Sequence, residues 1–344
     1  MKLYYLILLI NLLYYVNSFT VNYPTFTKNK AVISNIDVKK LTNNDKLELQ
    51  NLFNIVPFLV FKNQKINPKE YYDLCKIFDN NNKNTILHPW YTAIPYVPQV
   101  SIRGNMNTSG IFGTDNINLD DITSYFVYNY VWHQDLVGHR KHLPPIVSSM
   151  YMLKTPKKNK ISTVYASLED AYDTLDLSLK KEIKNYNVIN TDSLTRLKDV
   201  SYDYTGYIRK DKKKYYDDDI FTKHPLVIYS DDSKYRKSLL INPSRFFKFD
   251  KLNFHDSLEL YTHIMKNNVF DYKNIFQHNW DNNDIVIWNN RKLIHTSTPA
   301  TEYNNKHDKR DRMFIQCFLA TTKPLLPTSF NSKPIFNPII YNKN

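Results

Sequence analysis

Two short segments, far apart in the sequence, constrain this chain more strongly than any other part of it. The first is VWHQD at residues 131–135, and the second is DIVIWNNRKLIH at residues 284–295. If the first segment is a β-strand, His133 and Asp135 leave the same face, because side chains alternate along a strand. The second segment reads as an apolar strand that turns at Asn289 and Asn290 and then delivers His295. The sequence therefore predicts that two histidines and a carboxylate converge.

This residue set has one sharp chemical interpretation and two alternatives. Two imidazoles and one carboxylate on one side of a metal ion leave the opposite side open, as in mononuclear non-haem Fe(II) sites. The spacing by itself is not specific, because His-x-Asp occurs by chance and His133 could be a hydrogen-bonded core histidine. The same residues would also suit Zn²⁺ in a hydrolase.

The composition limits the class of protein. Hydrophobic residues make up 42% and aromatic residues 15% of 344 residues, which is enough for a sizeable core. The net charge of +13 could indicate nucleic-acid binding, but the lysines are scattered along the chain rather than clustered, so no nucleic acid is expected. Abundant Lys, Asn and Tyr with only 5 glycines is residue usage typical of an AT-rich genome. Cys75 and Cys317 are expected to be buried free thiols.

The N-terminus reads as a targeting segment. Residues 1–18 predict a signal peptide, with Lys2 followed by an apolar run too short for a comfortable membrane span; a short anchor helix is the alternative. Residues 19–35 are basic, rich in hydroxyl groups and free of acids, which is typical of a transit peptide. Together they favour entry into the secretory route and an apicoplast-like plastid, with secretion as the alternative. No stable membrane span is expected once the signal is removed.

The remaining pattern predicts an all-β core with helical additions (α+β). Predicted helices lie at residues 43–54, from Asn67 and Pro68 onward, at 167–177, at 179–186 and at 257–265. Predicted strands lie at residues 58–61, 146–153, 161–165, 224–229, 238–242 and 313–319. Residues 190–222 are polar and tyrosine-rich without a clean period, and we interpret them as an insertion or lid.

Four motifs in order resemble one known family. They are LVFKNQKINPKEYYDLCKIF at 59–78, VWHQD at 131–135, HPLVIYS with LLINPSRF at 224–246, and DIVIWNNRKLIH at 284–295. They are similar to the motifs of the 2-oxoglutarate-dependent dioxygenases of the taurine dioxygenase (TauD/TfdA-like) type, over roughly residues 36–322. Residues 323–344 would then be a C-terminal tail. The resemblance implies a double-stranded β-helix, the jelly roll of the clavaminate synthase-like fold.

The resemblance also implies a reaction and its ligands. The reaction couples oxidative decarboxylation of 2-oxoglutarate to hydroxylation of a C–H bond, with Fe(II), 2-oxoglutarate and O₂ as cofactors and a small molecule as substrate. The residues that match the iron ligands are His133, Asp135 and His295. Arg312 matches the arginine that grips the distal carboxylate of 2-oxoglutarate, which suits a planar guanidinium, and Arg310 is the second choice. Thr163 matches the hydroxyl partner of that carboxylate, although an ordinary strand threonine is nearly as good an interpretation.

The substrate side is less defined by the resemblance. His88, Asn129 and Phe246 fall near positions that line the pocket in the family, and each is equally well interpreted as structural. Gln316 stands where the taurine type has a second arginine, which argues against an anion clamp at that position. A binding protein with a degenerate site on the same barrel remains an alternative to an enzyme. A homo-oligomer is compatible with the sequence.

Overall fold

The structure is a computed structural model that describes residues 19–88, 92–119, 132–156, 162–191, 220–231, 234–297, 311–329 and 332–341. Its strands are β1 (Thr20–Asn22), β2 (Lys30–Ser34), β3 (Phe58–Phe61), β4 (Asn82–Lys83), β5 (Ala93–Ile94), β6 (Val97–Gly104), β7 (Val147–Lys154), β8 (Ser162–Ser167), β9 (Asn187–Thr191), β10 (Phe221–Pro225), β11 (Val227–Tyr229), β12 (Lys237–Leu239), β13 (Phe246–Phe249), β14 (Ile275–Asn279), β15 (Ile285–Asn289), β16 (Leu293–Ser297), β17 (Met313–Phe318), β18 (Ala320–Thr321) and β19 (Ile339–Tyr341). Its helices are α1 (Asn43–Ile55), α2 (Pro68–Lys76), α3 (Leu168–Thr174), α4 (Leu177–Ile183) and α5 (Phe254–Ile264), with a 3₁₀ turn at Ile111–Gly113 and a π turn at Met265–Val269.

Two sheets face each other and enclose the centre of the molecule. The larger sheet has the order β1-β2-β3-β15-β7-β17-β6-β5, and a three-stranded sheet has the order β14-β8-β16. A four-stranded sheet, β13-β9-β10-β19, and the pair β11-β12 extend the smaller side. Most neighbours are antiparallel, whereas β2 and β3 are parallel. Two mainly antiparallel sheets packed in this way form the predicted β core.

The inside of the barrel is aromatic. The large sheet contributes Phe58, Trp288 and Phe314, and the small sheet contributes Tyr165 and Phe276, all in one buried cluster. Because side chains alternate along a strand, the neighbours of these residues point to the other faces. The outer face of the large sheet packs against α1 and α2, and the outer face of the small sheet packs against α3 and α5. The strands therefore hold a fixed inner surface between two helical layers.

The first two long helices start where the sequence predicts them. Thr42 and Asp45 form a capping box at the start of α1, and Asn67 and Glu70 form another at the start of α2, with Pro68 in its first turn. Each box satisfies backbone N–H groups that the helix itself leaves without acceptors. Of the described helices, none is long and apolar enough to cross a membrane.

Both ends of the described domain differ from the predicted boundaries. Residues 19–35, interpreted as a transit peptide, contain β1 and β2, and Ala31 and Ile33 are fully buried in the large sheet. A domain start at residue 36 is therefore too late, because β2 belongs to the core. The predicted C-terminal tail also packs on the domain: Leu325 is buried, and β19 pairs with β10. The signal peptide at 1–18 lies outside the described residues.

The predicted insertion begins and ends on two paired strands. Thr191 at the end of β9 lies opposite Phe221 at the start of β10. Residues 192–219, between these two strands, lie outside the described residues.

Candidate metal centre

His133, Asp135 and His295, here called the triad, are brought together by the fold. Their ligand atoms all lie within 4.8 Å of one another. Two backbone hydrogen bonds hold the histidines side by side: the N–H of His133 donates to the oxygen of His295 at 2.9 Å, and the N–H of His295 donates back at 3.0 Å. The two rings have centroids 4.3 Å apart, and Nε2 of His133 lies 3.7 Å from Oδ1 of Asp135. The predicted convergence is therefore present.

The local path of the chain differs from the predicted strand. His133 makes a single bridge with His295, and the chain turns at once over residues 135–138. Gly138 closes this turn with a φ of +87°, and a Cβ there would lie 2.7 Å from the Cβ of Asn190. Only glycine fits such a position without strain. The carboxylate of Asp135 therefore approaches the two histidines from a tight turn rather than from an extended strand.

Asn290 holds this turn against the β15–β16 hairpin. Its Oδ1 accepts from the N–H of Asp135 at 2.8 Å, and its Nδ2 donates to the oxygen of Asp135 at 2.8 Å. Gln134 donates from Nε2 to the backbone oxygen of Asn290 at 2.7 Å, and Asn242 donates to the oxygens of Gln134 and Val137. Such outer contacts fix the position of a ligand and are part of a metal site.

The triad leaves buried polar atoms without partners, which is the observation that tests a metal site. His295 and Asp135 are only 2% and 4% exposed. No described residue hydrogen-bonds to either ring nitrogen of His295 or to Oδ2 of Asp135. Buried polar atoms normally have partners, because leaving one without a partner costs about 1–3 kcal/mol. A divalent cation ligated by one nitrogen of each ring and by the carboxylate would satisfy one nitrogen of His295 and an oxygen of Asp135, so the residues present fit a metal.

The pKa shifts point the same way. Burial, followed by the charge of His133, lowers the pKa of His295 well below its ordinary value, so this ring is neutral and can act as a ligand. Burial raises the pKa of Asp135, and the neighbouring His133, Ser148 and Arg103 oppose that effect. A carboxylate held in a dry site is stabilised by a nearby cation.

Two aromatic rings wall the triad on its inner side. Tyr165 stacks on His295 with centroids 5.6 Å apart at 22°, and Trp288 meets the same ring edge-on at 5.1 Å. Both rings are fully buried. They fix the orientation of His295 and exclude water from that side of the site.

Arg312 and Thr163, the predicted cosubstrate residues, lie on inner faces of the barrel. The guanidinium carbon of Arg312 lies 5.4 Å from the centre of the Phe314 ring, in the inner aromatic cluster, and the residue is 9% exposed. The backbone of Arg312 packs closely against Gly104, the last residue of β6. A Cβ atom on Gly104 would lie only 2.2 Å from the backbone oxygen of Arg312. Thr163 faces the same side of β8 as Tyr165, and its hydroxyl accepts from Nε1 of Trp280 at 2.9 Å. Their contact with 2-oxoglutarate stays a prediction, and Arg310 lies outside the described residues.

The predicted substrate residues are placed differently from one another. His88 is 6% exposed, stacks on Phe318 at 4.6 Å, and accepts at Nε2 from the N–H of Phe318. Burial and then the charge of Arg103 lower the pKa of His88 well below its ordinary value. Phe246 is 1% exposed and stacks on Tyr261 within a helical core cluster. Asn129 lies outside the described residues, and the substrate roles of all three stay predictions.

Several residues around the site were not singled out from the sequence. Asn290 stands next to Asn289 in the quoted motif, and only the structure separates their roles: Oδ1 of Asn289 accepts from the N–H of Arg291 at 3.0 Å within the turn. Arg291 donates to the backbone oxygens of Pro144, Lys323 and Pro324, so it ties the C-terminal segment to the barrel. Tyr165 and Arg103 give no sequence signal of their own, because the sequence does not show which face of its strand each residue occupies.

A large groove elsewhere on the molecule contains none of the triad. Its volume is about 1260 Å³, and its wall includes Tyr172, Tyr229, Arg236 and Arg291. The candidate site is therefore identified by its ligand chemistry and not by the size of a cavity.

Comparison with known proteins decides the family. The family model described as "Taurine catabolism dioxygenase TauD, TfdA family" matches residues 23–315. The chain belongs to this family. The match starts directly after β1 and includes β2, in agreement with the place of β2 in the sheet. Membership makes Fe(II), 2-oxoglutarate and O₂ the cofactors that the family implies.

Curated relatives and solved structures agree with this assignment. The chain is 28% identical over 175 residues to the alpha-ketoglutarate-dependent xanthine dioxygenase xanA of Emericella nidulans, which covers 43% of this chain and 46% of that protein. It is 26% identical over 185 residues to an alkylsulfatase of Acinetobacter baylyi, covering 51% and 53%. The chain thus spans about half the length of these curated relatives.

Solved structures share the fold. A putative alpha-ketoglutarate-dependent taurine dioxygenase from Burkholderia xenovorans superposes with a TM-score of 0.68 at 15% identity, covering 95% of this chain and 99% of that one. AAD-2, solved with Mn(II) and N-oxalylglycine, superposes with a TM-score of 0.65 at 18% identity, covering 91% and 99%. The predicted jelly roll with helical additions is confirmed.

Proposed function

We propose that the protein is an Fe(II)- and 2-oxoglutarate-dependent dioxygenase that hydroxylates a small organic substrate and releases succinate and CO₂. The observation that carries this proposal is the triad, in which both ring nitrogens of His295 and an oxygen of Asp135 are buried without partners among the described residues. Arg312, on the inner face of the same barrel, supports it. A facial set of two histidines and a carboxylate leaves room for a bidentate cosubstrate and for O₂.

Each named residue has a role that follows from its chemistry. His133, Asp135 and His295 would hold the metal, and Asn290 keeps Asp135 aimed at it. Bound Fe(II) and 2-oxoglutarate supply the activation of O₂ for oxidative decarboxylation and for oxygen transfer to a C–H bond. Arg312 would orient the cosubstrate by a bidentate contact with its distal carboxylate. Tyr165 and Trp288 keep the inner side of the site dry, which strengthens these charged contacts.

One experiment separates this activity from the alternatives. The purified protein is incubated with 2-oxoglutarate and O₂, with either Fe(II) or Zn²⁺, and succinate is measured. We expect succinate only with iron, and we expect Arg312→Leu to raise the half-saturating 2-oxoglutarate concentration at least about tenfold, because a charge-assisted bidentate pair is lost. Arg140→Leu, which removes an exposed arginine, is the matched control and should change nothing.

The other outcomes are equally informative. Metal binding with neither succinate formation nor binding of 2-oxoglutarate would indicate a binding protein on the same barrel. Hydrolytic activity that Zn²⁺ supports and Fe(II) does not would favour a zinc enzyme. An unchanged 2-oxoglutarate requirement in Arg312→Leu would remove Arg312 from the cosubstrate site.

We also propose that residues 1–18 direct the chain into the secretory route, with an apicoplast-like plastid or secretion as the destination; the composition of residues 19–35 favours the plastid, but that segment also forms β1 and β2. The structure adds one constraint on processing. Cleavage after Ser18 would leave β1 and β2 intact, whereas cleavage after Asn35 would remove β2, whose Ala31 and Ile33 are fully buried. The N-terminal residue of the mature protein, read by mass spectrometry, should therefore lie before β2; a mature start at residue 36 would contradict this.

A further inference from the structure

Strand β16 continues the inner surface of the barrel beyond its metal ligand. Ser297 lies two residues after His295 on this strand. Side chains two positions apart leave the same face of a strand, about 7 Å from each other. In the antiparallel pairing of β16 with β8, Ser297 lies opposite Thr163. Directly opposed residues project from the same face, so these two hydroxyl groups lie side by side, next to the triad.

The alternation along both strands confirms this face. His295 lies opposite Tyr165, which belongs to the inner aromatic cluster. Ile294 lies opposite Ala166, and both are buried in the outer cluster against α3 and α5. The pairing of the two strands has no register shift, so Ser297 shares the inner face with His295.

The indole of Trp280 fixes the role of the Thr163 hydroxyl. Nε1 of Trp280 donates to Oγ1 of Thr163 at 2.9 Å, and Trp280 is 1% exposed. Because an indole N–H can only donate, the Thr163 oxygen accepts, and the hydrogen of the same hydroxyl is directed elsewhere. Trp280 is held edge-on against His278, with ring centroids 4.6 Å apart. A packed neighbour therefore orients Thr163 as a donor.

Two more buried hydroxyls lie in the same region. Oγ of Ser297 and Oη of Tyr165 form no hydrogen bond with any described residue. Burial, followed by the charge of Asp135, raises the pKa of Tyr165, and the Thr163 hydroxyl opposes that rise, which places it beside the phenol. Thr163, Tyr165 and Ser297 are here called the hydroxyl cluster. Buried hydroxyls without partners are costly, so the cluster suits a ligand from outside the chain.

A carboxylate is the ligand that fits this cluster. It is an acceptor only, and its two oxygens offer about four lone-pair sites, so several hydroxyls can donate to it at once. Thr163 can do so while it accepts from Trp280. Of the two carboxylates of 2-oxoglutarate, the one beside the keto group is used for chelation at the open side of a facial triad. The distal carboxylate is then left for a site farther along β16.

We propose that Ser297 donates a hydrogen bond to the distal carboxylate of 2-oxoglutarate beside Thr163, and that Trp280 is the positioning residue that aims the Thr163 hydroxyl at the same carboxylate. The inference rests on the proposed dioxygenase function and deepens it. It adds two residues, one on β16 and one directly after β14, to the predicted contacts of Arg312 and Thr163.

The test compares two acids that differ only at the distal end. The purified protein with Fe(II) is titrated anaerobically with 2-oxoglutarate and, in parallel, with 2-oxopentanoate, which has a methyl group in place of the distal carboxylate. The half-saturating concentration is read from the visible charge-transfer band. Ser297→Ala should raise it about tenfold for 2-oxoglutarate, because a hydrogen bond to a charged acceptor is lost, and by less than about twofold for 2-oxopentanoate.

Three controls separate this contact from general damage. Ser297→Thr keeps the hydroxyl and should stay within about threefold of wild type for 2-oxoglutarate. Thr296→Val alters the neighbouring residue, which points to the other face of β16, and should behave as wild type. Fe(II) affinity, measured by equilibrium dialysis without any acid, should stay within about twofold in Ser297→Ala, and thermal unfolding establishes that each variant is folded.

The role of Trp280 is tested by a double-mutant cycle. Trp280→Phe keeps an aromatic ring but removes the N–H, and it should raise the half-saturating 2-oxoglutarate concentration about fivefold in the wild-type background. In the Thr163→Val background the same change should have an effect of less than about twofold, since the hydroxyl that it orients is absent. Equal effects in both backgrounds would mean that Trp280 acts only through packing.

The remaining outcomes distinguish this proposal from the function on which it rests. An unchanged 2-oxoglutarate requirement in Ser297→Ala, or an equal loss for both acids, would remove Ser297 from the distal carboxylate. Equal half-saturation of the wild type by 2-oxoglutarate and 2-oxopentanoate would mean that no residue binds that carboxylate, and would overturn the proposal. Failure of 2-oxoglutarate to produce a band in the wild type would instead contradict the proposed dioxygenase function itself.

Discussion

Two buried polar clusters lie on either side of the start of β16, and they differ in whether their polar atoms have partners. Lys292, one residue before β16, belongs to an ion cluster with Glu169 and Arg236, whereas His295, inside β16, belongs to the triad. In the ion cluster, Nζ of Lys292 lies 3.1 Å from Oε1 of Glu169 and Nη2 of Arg236 lies 2.8 Å from Oε2. In the triad, ring nitrogens and a carboxylate oxygen have no partner among the described residues.

The difference separates a structural cluster from a functional one. Glu169 and Lys292 are each 1% exposed, so their charges are tolerated only because each supplies the other's counter-charge. Lys292 also donates to the backbone oxygen of Asn54 at 3.1 Å and so fastens the hairpin to α1. In the triad, His295 and Asp135 are also buried, but the set is incomplete without a ligand from outside the chain. Burial of polar groups alone therefore does not mark a site; the triad is marked because its unpartnered atoms belong to three residues whose ligand atoms lie within 4.8 Å of one another.

The largest expected effect is on iron binding by the triad. We expect His295→Ala to weaken Fe(II) affinity about a thousandfold, because one of three protein ligands is lost. The free energy of unfolding of the metal-free protein should fall by no more than about 1–2 kcal/mol, since the ring leaves no hydrogen bond behind. Equilibrium dialysis and urea denaturation measure the two quantities. An affinity within threefold of wild type would mean that the triad is not the metal site.

The opposite pattern is expected for the ion cluster. Glu169→Ala should lower the free energy of unfolding by about 3–5 kcal/mol, because the buried Lys292 ammonium loses its counter-charge. The double variant Glu169→Leu with Lys292→Met is the matched control and should recover much of that loss, since it removes both charges. Urea denaturation measures stability, and iron affinity should stay within threefold in both. A large loss of iron affinity in either variant would show that the two clusters are coupled.

His224 sharpens the comparison as a buried histidine that does have partners. Its Nε2 lies 2.9 Å from Nδ2 of Asn190 and its Nδ1 lies 3.0 Å from the oxygen of Pro225, so the neutral ring accepts at one nitrogen and donates at the other. Burial lowers its pKa from 6.5 to about 4. Between these values the unfolded chain binds a proton that the folded protein does not, so stability is lost as the pH falls from 6.5 towards 4.

The expected size of this loss is about 3 kcal/mol for His224 alone. The measurement is the free energy of unfolding of the metal-free protein from pH 7 to pH 4, for wild type and His224→Gln. The other buried histidines are present in both proteins. The difference between the two slopes of unfolding free energy against pH therefore isolates His224. Parallel curves for the two proteins would contradict the assigned pKa.

The smallest effect concerns the support of the triad. Asn290→Ala should weaken Fe(II) affinity about 10–100-fold, because the turn that carries Asp135 loses both of its contacts with the Asn290 amide. Asn289→Ala is the matched control on the same turn, since Oδ1 of Asn289 accepts from Arg291 rather than from the Asp135 turn. Equal losses of iron affinity in both variants would indicate general damage to the hairpin instead of a specific role for Asn290.

The sequence predicts the β15–β16 hairpin and the convergence of the triad well, but it predicts the path of the chain at Asp135 and the end segments poorly. Helix starts at Asn43 and Pro68 follow from local capping chemistry, and the 284–295 motif predicts both the buried β15 and the turn before His295. Residues 19–35 were misplaced because their basic, acid-free composition resembles a transit peptide, while the pairing of β2 with β3 depends on residues far along the chain. The same limit applies to Ser297, whose place opposite Thr163 depends on the register of β16 with β8.

The most direct test of the account is an anaerobic titration of the protein with Fe(II) and then with 2-oxoglutarate. We predict that one Fe(II) binds per chain, that 2-oxoglutarate then produces the visible charge-transfer band, and that His295→Ala abolishes both. Iron binding without a band would leave the triad intact and contradict the cosubstrate assignment. If neither Fe(II) nor 2-oxoglutarate binds, the unpartnered atoms of the triad do not form a metal site and the central claim is wrong.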